Sequence, residues 1–341
     1  MNNNPLNLIP LEETIAKVQP ANAESELLAH WKGCFSKSVL TADALTTVHV
    51  PPREPIAGEW FKQGDLGFLF APRGMGKTWL AMQLATCVAE SRDFGPWTVT
   101  KPRSVLYVDG EMAMDSTKTR HAALSHGSSK LHYLHHERLF HECGAVLNLS
   151  TPSSQQALLQ HCLAESIEVL FLDNLSCLFS GIKENDADAW ETVLPWLLEL
   201  RRNRIAVVFI HHAWRNGAMR GTSRREDAAF WVLQLSEARE EAEYGPGARF
   251  ISRFIKNRNC TEDAAPPIQW HFATKPDGRA GVSWKKLSTV DVFRQWIEDG
   301  LTSATDIAAE MGISKGQVSK LAKRGIEQGW LKKDGRDYVH A

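Results

Sequence analysis

The sequence predicts an α/β chain: a core with a mainly parallel sheet and an antiparallel extension, then a small α+β domain of three helices and a hairpin. Three observations carry this. The apolar runs LGFLFA, RSVLYVDG, IEVLFLDN and IAVVFIHH are continuous rather than alternating, which suits strands buried on both faces. Helical patterns such as KTWLAMQLATCVAE and AWETVLPWLLELRR separate them, as parallel connections require. The first of these strands runs into APRGMGKT, a phosphate-binding loop between a strand and a helix.

Residues 1–57 hold short amphipathic pieces, LEETIAKV and SELLAHWKGCF, and end in the proline-rich PPREPIAG, which suits an N-terminal extension and linker. Residues 58–287 carry the strand and helix alternation. After Phe230 the stretches WVLQLSEA, ARFISRFIKNRN, PIQWHFAT and GVSWKKL follow one another without helices, and we assign them to the antiparallel extension. Residues 288–341 read as three short helices and a hairpin turning on Asp334-Gly335.

The 39 basic and 40 acidic residues nearly cancel, so any nucleic-acid surface must come from local clustering. The six cysteines are scattered with no C-x-x-C pair, several of them inside apolar runs, which favours a reducing cytoplasm. The start MNNNPLNLIP lacks the basic and apolar regions of a signal peptide, and no apolar run approaches the ~20 residues of a membrane span. A cytoplasmic protein without a membrane partner is expected.

Ala71, Arg73, Gly74, Met75, Gly76, Lys77, Thr78 and Trp79 are the candidate nucleotide-binding residues. Glycines let backbone N–H groups close on phosphates, and the helix N-terminus adds a favourable dipole. Lys77 is expected on the β- and γ-phosphates of ATP, with the Thr78 hydroxyl on Mg²⁺. Ala71 stands where such loops usually carry glycine, leaving the G-K-T core intact. A metal-bound nucleotide needs a second carboxylate at a strand end; Asp173, closing VLFLDN, fits, acting through metal-bound water.

In order, the P-loop, the Asp109-Gly110-Glu111 segment, LFLDN, IHH, MRGTSRREDAAFWVLQL and IKNRN resemble hexameric RecA-fold helicases, of the AAA family in the broad sense, especially plasmid RepA-like and DnaB-type proteins. The resemblance covers about residues 58–286. It implies that Glu111 polarises the attacking water, with Asp109 the competing candidate. It also implies a γ-phosphate sensor at His211-His212, where His212 is our choice; joint metal ligation is awkward because adjacent strand residues point to opposite faces. Lys256 and Arg258 match the K-x-R-N element by which a DnaB-type subunit reaches its neighbour's nucleotide, so Arg258 is the candidate arginine finger and Lys256 its companion. Arg220 and Arg224 are alternatives. Trp214, Arg215 and Asn216, in the loop after the sensor strand, suit single-stranded DNA in a ring channel, since bases stack on rings and phosphates pair with arginine. A finger supplied in trans implies a homo-oligomer, expected to be a hexamer.

TSATDIAAEMGISKGQVSKLAKRGIEQGWLKK has a helix-turn-helix arrangement, with Gly312 at the turn and Ser314 capping the second helix. It resembles winged helix-turn-helix domains. Lys315, Gln317, Ser319, Lys320, Lys323, Arg324 and, on the hairpin, Lys333 are the expected contacts to duplex DNA; a protein-docking role is the alternative. Together these features favour an ATP-hydrolysing DNA helicase or translocase serving replication of a plasmid, phage or mobile element. An ATP-switched regulator or loader and a recombinase-like filament former are the competing readings.

Overall fold

The computed structural model describes residues 20–180, 192–212, 228–238, 247–311 and 313–341. It divides into two compact units, Met1–Pro52 and Arg53–Ala341. In the first, Pro20–Ser38 forms helix α1 and Ala42–Thr47 the short helix α2, whose N-cap Thr41 side chain accepts a hydrogen bond from the Ala44 amide.

The second unit opens with strand β1, Pro55–Ala57, paired to β2, Phe61–Lys62. Ile56 and Ala57 are buried, so these residues, assigned to the linker on sequence, belong to the body. Arg103 fastens them there: its buried guanidinium donates to the Glu54 carboxylate, the Pro55 carbonyl and the Glu168 carboxylate.

The main sheet comprises β3 (Leu66–Ala71), β4 (Val105–Asp109), β5 (Leu131–His135), β6 (Val169–Asp173), β7 (Ala206–His212), β8 (Trp231–Glu237), β9 (Gly247–Asn257), β10 (Ile268–Thr274) and β11 (Ala280–Lys286). Their order is β11-β10-β9-β8-β3-β7-β6-β4-β5, with β3 in the middle. From β8 to β5 every pair is parallel; β9, β10 and β11 are antiparallel. The antiparallel extension thus starts one strand later than the sequence reading placed it. β8 pairs in parallel with β3, Gly67 opposite Trp231 and Phe70 opposite Gln234, and is antiparallel only to β9. The 213–230 connection has the length a parallel crossover needs.

Helices cover both faces of β3, β4, β6 and β7, which is why these strands are buried and apolar up to their carboxyl ends. On one face Leu69, Ala71, Tyr107, Phe171, Val208 and Ile210 pack with Leu80, Ala81 and Leu84 of α3, Lys77–Glu90. On the other, Phe68, Phe70, Leu172, Val207 and Phe209 meet Leu158 and Leu159 of α6, Pro152–Ala164, and Trp196 and Leu197 of α8, Leu194–Arg202. Between these lie α4 (Met114–Leu124), α5 (His136–Cys143) and the single turn α7 (Leu175–Leu178). Gly67 admits the Trp231 indole across its strand: a Cβ there would stand 2.0 Å from the ring. All six cysteines are free, and burial pushes the Cys87 thiol up to about 12.

The chain ends in α9 (Thr289–Glu298), α10 (Ala304–Glu310), α11 (Lys315–Glu327) and a hairpin of β12 (Leu331–Asp334) and β13 (Asp337–His340). Phe293, Ile307, Val318, Leu321 and Tyr338 form its core, which also takes in Ala238 and Ile251, so this module is seated on the β8–β9 end of the sheet. Among the described residues no helix is long and apolar enough to cross a membrane.

Candidate active site

The strand alternation decides what reaches the P-loop. On the face that packs against α3, the last residues of the parallel strands are Ala71 of β3, Asp109 of β4, Asp173 of β6 and His212 of β7; register puts Asp109 beside Asp173 and Ala71 beside His212. All lie at the carboxyl ends of the strands, the usual place for a ligand crevice in an open α/β sheet.

After Ala71 the chain turns through Gly74 (φ 81°) and Gly76 (φ 91°) into α3. Gly76 is required twice over, since its left-handed backbone disfavours a side chain and a Cβ would stand 2.6 Å from the Phe250 ring. Lys77 is buried, its Nζ donating to the Ala71 carbonyl at 3.0 Å and the Pro72 carbonyl at 2.8 Å, so its ammonium is held on the loop where phosphates would be bound. Arg73 is exposed, Met75 packs on the core, and Trp79 lies under the Arg120 guanidinium, 5.3 Å from its ring centroid.

Asp173 is 2 % exposed and receives two hydroxyls, Tyr107 Oη at 2.6 Å and that of Thr78. Burial pushes its carboxyl up from 3.8 to about 6; Tyr107 and Thr78 pull the other way, while Asp109 and Glu111 add to the rise. A hydroxyl and a carboxylate meeting beside the phosphate loop are a hard oxygen donor pair of the kind Mg²⁺ takes. Among the described residues no group of three His, Cys, Asp or Glu could hold a metal.

Asp109 and Glu111 separate by environment. Asp109 is fully buried and its oxygens are committed: Oδ1 accepts from the Glu111 and Met112 amides at 3.1 and 3.0 Å, and Oδ2 from the Thr117 hydroxyl at 2.6 Å. It is a clamp on the backbone that presents Glu111. The Glu111 side chain is 46 % exposed, with Oε2 3.7 Å from His212 Nε2. His211 faces the opposite side of the sheet.

Asn174, which the sequence reading passed over as the end of LFLDN, links the two. Its Nδ2 contacts Glu111 Oε2 and, at 3.1 Å, His212 Nε2, while its Oδ1 accepts from the Cys177 amide at 3.1 Å as the N-cap of α7. An Asn directly before a short helix signals a cap in sequence; convergence with β4 and β7 does not show there.

Lys256 and Arg258 lie far from this cluster. Lys256 pairs with Val232, and the Arg258 amide donates to the Phe230 carbonyl, level with Leu66 at the amino-terminal edge of β3. Five residues of strand, about 16 Å, separate that level from Ala71. An arginine side chain cannot span this within one subunit. Arg258 is exposed, and its neighbour Asn259 is anchored: Nδ2 donates to Asp65 Oδ2 at 2.6 Å and to the Trp60 carbonyl at 2.8 Å, and Oδ1 accepts from Arg53 at 3.0 Å. Trp214, Arg215, Asn216, Arg220 and Arg224 lie outside the described residues.

On α11, Lys315, Lys320, Lys323 and Arg324 are exposed, as is Lys333 on the hairpin. Gln317 and Ser319 are exposed as well, and their polar ends also bond within the helix. Gln317 Oε1 accepts from the Ser314 amide at 2.9 Å in a capping box, and the Ser319 hydroxyl donates to the Lys315 carbonyl at 3.0 Å. Both serve their own helix.

None of the curated proteins compared matches the chain. Among solved structures it is similar to a KaiC-like protein of the hyperthermophilic archaeon Pyrococcus horikoshii, at 14 % identity and TM-score 0.47, over 69 % of this chain and 100 % of that one. It is also similar to the flagellar accessory protein FlaH of Methanocaldococcus jannaschii, at 13 % identity and TM-score 0.42, over 65 % of this chain and 90 % of the other. A family profile described as AAA domain (AAA_25) matches residues 34–218, more than half of the 341-residue chain. The chain therefore belongs to this AAA-domain family and is a nucleotide-binding ATPase whose P-loop follows the middle strand of a largely parallel sheet.

Proposed function

We propose that the protein is a ring-forming ATPase, hexameric, that translocates on or unwinds DNA for replication of a plasmid, phage or mobile element. The observation that carries the reading is the separation within one subunit: the P-loop, Glu111, Asp173 and His212 share one end of the sheet, and Lys256 and Arg258 the other. A head-to-tail contact would set the amino-terminal edge of one copy against the carboxyl-terminal edge of the next and complete each site from two chains.

In that site Lys77 and the α3 N-terminus hold the β- and γ-phosphates. Thr78 and Asp173 would hold Mg²⁺, which offsets the phosphate charge when bound. Glu111 takes a proton from the water that attacks the γ-phosphorus, ADP leaves, and inorganic phosphate forms. On this reading His212, which pairs with Ala71, feels the γ-phosphate. Arg258 of the adjoining copy neutralises charge in the transition state, with Lys256 beside it. The exposed cations of α11 suit duplex phosphates, and the α9–α11 helices with their hairpin fit a winged helix.

The test is strand displacement on forked DNA by wild type and Lys77→Ala, with hydrolysis measured with and without single-stranded DNA. Displacement by wild type alone is expected. DNA-stimulated hydrolysis without displacement would instead favour a loader or regulator.

A further inference from the structure

We propose that Asn174 is a positioning residue for hydrolysis: it ties the Glu111 carboxylate to the His212 imidazole, so that the general base and the residue at the end of β7 are held as one unit. The inference rests on the reading of Glu111 as general base given above.

The geometry is specific to an amide. Asn174 is 1 % exposed, so water does not substitute for its contacts. Its Oδ1 is taken by the Cys177 amide, which fixes the orientation of the group and leaves Nδ2 as the donor end. One N–H of that nitrogen goes to Glu111 Oε2 and the other to His212 Nε2, so the imidazole accepts there. Capping α7 needs only an acceptor, and Ser or Asp would serve as well. Two donors and one acceptor, directed to β4, β7 and α7 at once, need Asn.

The consequence falls on Glu111. Asp109 fixes its backbone through the Glu111 and Met112 amides, but the side chain projects half-exposed. The Asn174 bond falls on Oε2, so Oε1 is the oxygen left for a water. Asn174 sets which way the carboxylate faces, and a shift of the His212 end of β7 is transmitted to it through one side chain.

Asn174→Ser keeps a capping oxygen and removes the bridge. In the full-length protein with ATP and Mg²⁺, it is expected to lower kcat about 10–100-fold with KM within about twofold. Its unfolding midpoint and calorimetric ADP affinity should match wild type. In a Glu111→Gln background the same substitution should cost nothing more, because the group it positions is gone. His212→Ala breaks the other end without touching the cap, and in that background Asn174→Ser should cost less than in wild type. Equal slowing in all three backgrounds, or loss of ADP affinity in step with kcat, would reduce Asn174 to a helix cap and overturn the proposal. Wild-type kcat in Glu111→Gln would instead remove the general-base reading on which it rests.

Discussion

Asp173 couples the candidate metal site to stability, and Asp173→Asn exposes that coupling. Its carboxyl is raised from 3.8 to about 6, chiefly by burial. The folded pKa lies above the unfolded one, so the linked stability is complete below the unfolded value and is lost as pH rises through about 6. The difference corresponds to about 3 kcal/mol at pH 8. Asparagine removes the charge while its carbonyl still accepts from Tyr107 and its amide can meet Thr78. Without nucleotide, Asp173→Asn should therefore be more stable than wild type at pH 8, by about 5 °C in Tm for a unit of this size, and by about half as much at pH 5, the two converging only below the unfolded value. The same variant should lose Mg²⁺-dependent nucleotide binding at both pH values. Thermal unfolding at the two pH values, beside nucleotide titration, reads all of this. A destabilised variant at pH 8, or an equal shift at both pH values, would refute the account of a buried carboxylate under strain from its own charge.

Gly76→Ala should abolish nucleotide binding and lower the unfolding midpoint, because its Cβ would meet Phe250 at 2.6 Å, whereas Gly74→Ala, with nothing within 4 Å, should be milder; titration with ADP separates them. Gln317→Ala should cost about 1 kcal/mol of stability through loss of the capping box and leave the salt dependence of DNA binding intact. Lys320→Ala and Lys323→Ala should each lower the salt slope of DNA affinity by about 1, measured by fluorescence anisotropy between low and moderate salt. Asn259→Ala should release the Arg258 platform from Asp65 and Trp60, reducing hydrolysis while ADP affinity stays at the wild-type value.

The phosphate loop was legible in sequence because its chemistry is local: glycines, a lysine and a threonine on consecutive residues. The strands bearing Asp109 and Asp173 were equally plain, since burial on both faces leaves continuous apolar runs. Less visible was the partner of β8, because the run WVLQLSEA reads the same whether its neighbour is parallel or antiparallel. Choosing Glu111 over Asp109 needed the hydrogen bonds that exhaust the buried carboxylate. Asn174 matters by joining β4 and β7, both distant from it in sequence, which no spacing rule connects. The Ser314 cap was legible in the same local way, while the return bond of Gln317 to the Ser314 amide shows only in the structure.

The central claim is that the ATP site is completed by a second copy, and mixing two inactive variants tests it most directly. Lys77→Ala retains Arg258 but cannot hold phosphate; Arg258→Ala retains the loop but lacks the finger. If each site draws its loop from one chain and its finger from the next, a randomly assembled equimolar mixture contains both intact halves at about one quarter of its sites. Hydrolysis should then return to about 25 % of wild type in the mixture while each variant alone is inactive. A mixture as inactive as its components, or full activity from Arg258→Ala alone, would contradict the account.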